Sequence, residues 1–260
     1  MFNYFNYHEI ERILFDWKFK GYTIIDLLTS EECDLINEDL DHIRNARKYQ
    51  SDKIWAPYEP YMHPHKDSEL INKYFAHPKV IEVMELLLGD KVEGVQTWAY
   101  FKPPGELGRD AHQDGFYSQS IWNTIANVSI ALDDTDESNG GLWTYEGSHR
   151  LPLLDIEVDE ERVKTNPAHW KNERGKSSKM PDNHHFEKVY ATLKKGQALL
   201  IHSHVVHGSD DNNTTDKFRR SLLSGYKTIG SLLRQGEHMK RVPVDVYKLR
   251  EKYWNLVDVI

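Results

Sequence analysis

The chain has 260 residues, enough for one large folding unit with a sizeable core rather than two full ones. Its formal net charge of −8 argues against nucleic acid or an anionic membrane as the main partner. The single cysteine, Cys33, excludes an internal disulfide, and no membrane-length apolar stretch or basic-then-apolar leader is found, so a soluble cytoplasmic protein is expected.

Residues 8 to 17 place Ile10, Ile13, Leu14 and Trp17 on one stripe and predict a short amphipathic helix. Gly21-Tyr22-Thr23-Ile24-Ile25 reads as a strand. Thr29-Ser30-Glu31-Glu32 then offers an N-cap and an acidic first turn for a helix through about Arg47. Residues 50 to 66 are rich in Tyr, Pro and His without periodicity, which predicts a long loop. Its Trp55, Tyr58, Tyr61, His63 and His65 make it a candidate lid. Helices follow from about 67 to 75 and from Pro78 to Leu88, where Gly89-Asp90 stops the second.

Strand-like runs then take over: Val92 to Tyr100, Asn127 to Leu132, Gln197 to His202 and Ser221 to Lys227. Helices first and strands afterwards predict one α+β domain over 1–260. Its helical layer, about 1–90, packs on a β-barrel or jelly roll of about 91–230. An insertion at 153–188, carrying His169, Trp170, His184 and His185, interrupts the barrel. A last helix spans about 244–254.

The chemistry-bearing residues fall in the strand-rich half. His112-Gln113-Asp114 places an imidazole and a carboxylate two residues apart, so that on an extended strand both project to the same side. A third candidate ligand comes from Ile201-His202-Ser203-His204-Val205-Val206-His207. His202 and His204 share one parity, and His207 has the other. His207 is preferred, with His204 next, because it leads through Gly208-Ser209 and a polar turn to Phe218-Arg219-Arg220. Two imidazoles and one carboxylate on one face of a metal suit non-haem iron(II) chemistry. A guanidinium from Arg219 or Arg220 suits the carboxylate of an oxo-acid co-substrate, and Ser209 is placed to donate to it. Tyr117, Gln119, Trp98 and Trp143 are candidates for the pocket lining.

Four blocks in order resemble the phytanoyl-CoA dioxygenase family of iron(II)/2-oxoglutarate oxygenases. They are Gly21 to Ile25 with Leu28 to Cys33; Phe101-Lys102-Pro103-Pro104-Gly105 with His112-Gln113-Asp114; Ile130 to Asp134 with Asn139-Gly140-Gly141-Leu142-Trp143 and Gly147-Ser148-His149-Arg150; and His207-Gly208-Ser209 with Arg219. The resemblance runs from about residue 18 to 228. It implies a double-stranded β-helix, a cupin-like jelly-roll barrel with flanking N-terminal helices. It also implies iron(II) held by His112, Asp114 and His207, and 2-oxoglutarate anchored by Arg219 with Ser209. Gln96 stands where some relatives contact the co-substrate, and His149 belongs to a structural block.

The implied reaction consumes O2 and 2-oxoglutarate, releases succinate and carbon dioxide, and hydroxylates a C–H bond of a small molecule. Relatives that halogenate replace the ligand carboxylate with a small residue, so Asp114 favours hydroxylation, desaturation or ring closure. The competing readings are a cupin-like isomerase and a non-catalytic binding member of the same barrel. A monomer or homodimer with a small-molecule substrate is expected.

Overall fold

Asn6 starts the first helix as its spacing from Glu9 requires. Its Oδ1 accepts from the Glu9 N–H at 3.0 Å, and the Glu9 carboxylate accepts from the Asn6 N–H at 2.9 Å. The computed structural model describes residues 2–48, 60–165, 175–234 and 241–254. Helix α1 (Tyr7–Phe19) buries Ile13 and Trp17 while Leu14 faces solvent, so the apolar stripe is narrower than expected. Strand β1 (Tyr22–Asp26) follows. Helix α2 (Ser30–Lys48) opens on a second reciprocal cap, between Thr29 and Glu32, and buries Cys33, Ile36, Leu40 and Ile43.

The stretch expected to be a lid is different where it is described. Tyr61 and Met62 form the short edge strand β2 (Tyr61–Met62), paired with β3 (Val92–Lys102). Tyr61 and His65 are buried, and His65 Nδ1 lies 2.7 Å from Thr97 Oγ1. These side chains belong to the core; Trp55 and Tyr58 lie outside the described residues. Helix α3 (Glu69–Phe75) is capped by Ser68, and α4 (Pro78–Leu88) begins with proline and ends at Gly89 with φ 78°.

The remaining elements are β4 (Arg109–His112), α5 (Asp114–Ser118), β5 (Ile125–Ala131), β6 (Leu142–Tyr145), β7 (Ile156–Val158), α6 (Glu160–Thr165), β8 (Lys176–Ser178), β9 (Lys188–Tyr190), β10 (Gln197–His202), β11 (His207–Ser209), β12 (Arg219–Thr228) and α7 (Val246–Tyr253). Six strands form one sheet in the order β1-β10-β5-β12-β3-β2, and four form a second in the order β4-β11-β6-β9. All of the pairings are antiparallel. The result is the expected jelly roll.

Strand alternation explains what sits where. Val128, Ile130, Ala198, Leu200 and Leu222 turn one face of the large sheet into the main core, with α2, α3 and α4 residues packed on it. Asn127, Ser129, Leu199, Ile201, Ser221 and Leu223 occupy the other face and line a cavity shared with the small sheet. The region expected as an insertion carries secondary structure of its own where it is described. Strands β7 and β8 pair as a hairpin, and Gly175 N–H donates to Asp110 Oδ2 at 2.7 Å, tying that region to β4.

Candidate metal centre

The His-X-Asp segment is not one extended strand. His112 is the last residue of β4, and Asp114 is the first of the helical turn α5. Between them Gln113 keeps extended backbone, φ −109° and ψ 126°, and is wholly buried. Its amide donates to His204 O at 2.8 Å and Pro152 O at 3.1 Å, and its Oε1 accepts from Leu154 N–H at 2.8 Å. Gly115 lets the helical turn pack closely: a Cβ there would come within 2.9 Å of the His204 ring.

His207 opens β11 and is the direct register partner of His112 on β4. Their ring centroids lie 4.2 Å apart, and one potential ligand atom from each of His112, Asp114 and His207 falls within 4.8 Å of the others. His112 Nε2 is 3.5 Å from Asp114 Oδ1, and His207 Nε2 is 3.7 Å from Asp114 Oδ2. The far ring nitrogens are committed, His112 Nδ1 to Asp110 O at 2.8 Å and His207 Nδ1 to Val205 O at 3.0 Å. Both carbonyls demand an N–H donor, so each Nε2 keeps its lone pair for a metal. His112 Nε2 is buried with no hydrogen-bond partner among the described residues.

Charge states agree with that role. Burial, reinforced by the neighbouring His112, pushes His207 down to about 4, so the ring is neutral at pH 7. Burial by itself raises the Asp114 carboxyl, but the His207 and His112 rings and Arg109 overcome it and hold Asp114 well below the usual carboxylate range. Asn127 Nδ2 donates to Asp114 Oδ2 at 2.6 Å and orients it. Two imidazole nitrogens and one oriented, ionised carboxylate make a donor set that fits iron(II).

Across the cavity, Arg219 is 5% exposed, and no carboxylate pairs with it among the described residues; its Nε is unpartnered. Burial lowers its pKa to about 10, so it remains a cation. Arg220 points the other way and grips Asp133 with two bonds of 2.8 Å, and only Arg219 lines the cavity among the described residues. Ser209 lines the same cavity; its Oγ accepts from Lys102 Nζ and from Arg109 N–H, each at 3.1 Å, which leaves its proton to donate. Lys102 is the register partner of Arg219 and shares this wall.

Other expected residues lie elsewhere. Gln96 is not among the cavity-lining residues; its Oε1 accepts from Arg241 Nε at 2.9 Å. His204 and His202 are not register neighbours on one strand, because β10 ends at His202. They pack in a separate group with the buried Trp17 and His149, edged by the exposed Trp122. Trp143 packs beside Gly208 and donates to Asp210, and Trp98 stacks on Tyr100. Tyr117 stands edge-on to His112, and Gln119 is exposed. His184 packs on Tyr145 and Phe186, while His185 is exposed. His169 and Trp170 lie outside the described residues. Asn127, Gln113 and Lys102 were overlooked in the sequence. The first has a legible signal: Asn127 and Ser129 alternate with Ala126, Val128 and Ile130, the mark of a strand with one polar cavity face.

The profile described as Phytanoyl-CoA dioxygenase (PhyH) matches residues 17–221. A probable alpha-ketoglutarate-dependent hypophosphite dioxygenase from Stutzerimonas stutzeri is 26% identical over 223 residues, 80% of this chain and 74% of that one. The peroxisomal phytanoyl-CoA dioxygenase of Rattus norvegicus is 24% identical over 198 residues, covering 74% of this chain and 56% of its own length. Among solved structures, the epimerase SnoN, in complex with Fe3+, alpha ketoglutarate and nogalamycin RO, superposes with a TM-score of 0.70 at 18% identity, covering 88% of each chain.

Proposed function

The chain belongs to the phytanoyl-CoA dioxygenase family, and from that premise we propose an iron(II)- and 2-oxoglutarate-dependent oxygenase that hydroxylates an unactivated C–H bond of a small molecule. The observation that carries this reading is the convergence of His112, Asp114 and His207, with the buried cation Arg219 on the wall of the same cavity. When bound, iron(II) supplies dioxygen activation coupled to decarboxylation of 2-oxoglutarate to succinate.

The protein's own part is positioning. His112 and His207 offer Nε2 lone pairs held in direction by Asp110 O and Val205 O. Asp114, ionised and oriented by Asn127, completes the three-ligand face. Arg219 takes the distal carboxylate of 2-oxoglutarate, a two-pronged ion pair that compensates its burial, and Ser209 donates to the same group. Leu199, Ile201 and Leu223 keep that end of the cavity apolar and restrict water. Asp114 occupies the ligand position that a halide would need, which favours hydroxylation over halogenation. Among the described residues no helix is long and apolar enough to cross a membrane, and a cytoplasmic setting suits the single buried thiol of Cys33.

The test is succinate release from 2-oxoglutarate with iron(II), ascorbate and oxygen. Wild type is expected to turn over slowly even without substrate, and His112→Ala and Asp114→Ala are expected to fall to background. Undiminished turnover in both variants overturns the assignment.

A further inference from the structure

Helix α1 carries apolar residues on two faces, and the core covers one of them. Ile13 and Trp17 point inward, whereas Leu14, Phe15 and Phe19 lie on the solvent side, with the Phe15 and Phe19 rings 4.7 Å apart. A helix that only packed on the core would be polar there. The loop after α5 enlarges this patch with the exposed Ile121 and Trp122. It is fastened to α1 where Asn123 Oδ1 accepts from Trp17 Nε1 at 3.1 Å. His149 O accepts from Trp122 Nε1 at 2.9 Å, and the adjoining Arg150 donates to Phe19 O at 2.7 Å. One turn, Ser148–Arg150, therefore holds both parts of the patch together.

The five side chains, Leu14, Phe15, Phe19, Ile121 and Trp122, are between 40% and 59% exposed. That leaves on the order of 500 Å² of apolar surface bare, the size of patch that marks an interaction site. Two copies set face to face reach about 1,000 Å², the lower bound of a specific interface. Among the described residues, none of these side chains lines the cavity of the triad, so covering the patch leaves that site open.

The charges inside the face identify what covers it. Glu11 and Lys18 are exposed and lie seven residues, two helical turns, apart on the line that runs between Leu14 and Phe15. Glu11 meets His8 and Tyr7 of its own helix, with His8 Nδ1 at 3.8 Å, and Lys18 lies over the Phe19 ring. Turned antiparallel about a twofold axis at Leu14 and Phe15, the helix sets each Glu11 opposite the second copy's Lys18. The face is thus complementary to itself. A lipid surface would instead meet a carboxylate in the middle of the face, on a chain of net charge −8. We infer that the chain forms a homodimer through α1, with Leu14 and Phe15 at its centre, a Glu11–Lys18 pair on each side, and Phe19, Ile121 and Trp122 completing the contact.

The test is sedimentation equilibrium of the full chain from about 1 to about 100 µM. The apparent mass is expected to rise from 30.5 kDa toward twice that value. Phe15→Ser is expected to stay at the monomer mass throughout while keeping the wild-type circular dichroism spectrum and thermal midpoint, because Phe15 lies outside the core. Glu11→Lys and Lys18→Glu each oppose like charges at two symmetric points and are expected to weaken the dimer by about 5- to 50-fold. Exchanging both residues, Glu11→Lys with Lys18→Glu, rebuilds the pairs in reverse and is expected to recover most of that affinity, which a change in helix stability would not do. A wild type that stays monomeric over the whole range, a dimer that survives Phe15→Ser, or a double variant no tighter than either single one overturns the inference. So does a monomeric wild type that co-sediments with phosphatidylcholine vesicles, which would assign the face to lipid.

Discussion

Asn127 Nδ2 lies 2.6 Å from Asp114 Oδ2, so a side chain from the middle of the large sheet holds the only carboxylate of the triad. The contact crosses from one sheet to the turn that follows the other. It couples the orientation of Asp114 to the register of β5 as well as to its own helical turn.

Asn127→Ala should therefore loosen Asp114 without removing a ligand. Iron(II) affinity, measured anaerobically by equilibrium dialysis, is expected to fall roughly 10- to 100-fold, as for other losses of ligand-orienting partners. Asn127→Asp should be worse, because it sets a second carboxylate against the first. Unaltered iron affinity in Asn127→Ala would show that Asp114 is held by other means.

Arg219 and Arg220 should separate function from stability. Arg219→Gln is expected to raise the KM for 2-oxoglutarate at least tenfold, since the distal carboxylate loses a charged, bidentate partner. Arg220→Gln breaks the half-buried pair with Asp133 and should cost about 1–3 kcal/mol of stability. Its KM for 2-oxoglutarate should stay close to wild type. A reversal of the two phenotypes would mean that the faces of β12 have been assigned the wrong way round.

Stability should fall on mild acidification, before carboxylates titrate. Burial pushes His63, His65 and His149 down to about 4 and His202 to about 3. In the unfolded chain these rings take up protons near 6.5. The unfolded state then binds more protons than the folded one below about pH 6.5, so the full stability holds above that value and drains away toward about pH 4. Urea unfolding at pH 7.5, 6 and 5 is expected to show a midpoint that drops steadily. A midpoint that does not move between pH 7.5 and 5 rules the mechanism out.

Much of the helical layer was readable because its signals are local. The Thr29 and Glu32 cap, the Pro78 start and the Gly89 stop each act within one turn, and each appears where expected. The long strands β3, β5, β10 and β12 were readable for a similar reason: they bury one face continuously. Strands β4, β6 and β11 have three or four residues apiece, too few for alternation to register, and it is these that carry His112 and His207. The same shortness defeats parity arguments around His202, His204 and His207, since the chain turns between β10 and β11.

Residue types and their order were sufficient to name the donors, two imidazoles and a carboxylate with an arginine downstream, because metal and carboxylate chemistry admits few alternatives. Folding alone turned Arg219 rather than Arg220 into the cavity, paired His112 with His207, and brought Asn127 to Asp114. Those outcomes depend on register and on which face of a sheet is buried. Both are set by contacts between strands far apart in the chain, and such contacts leave no local trace.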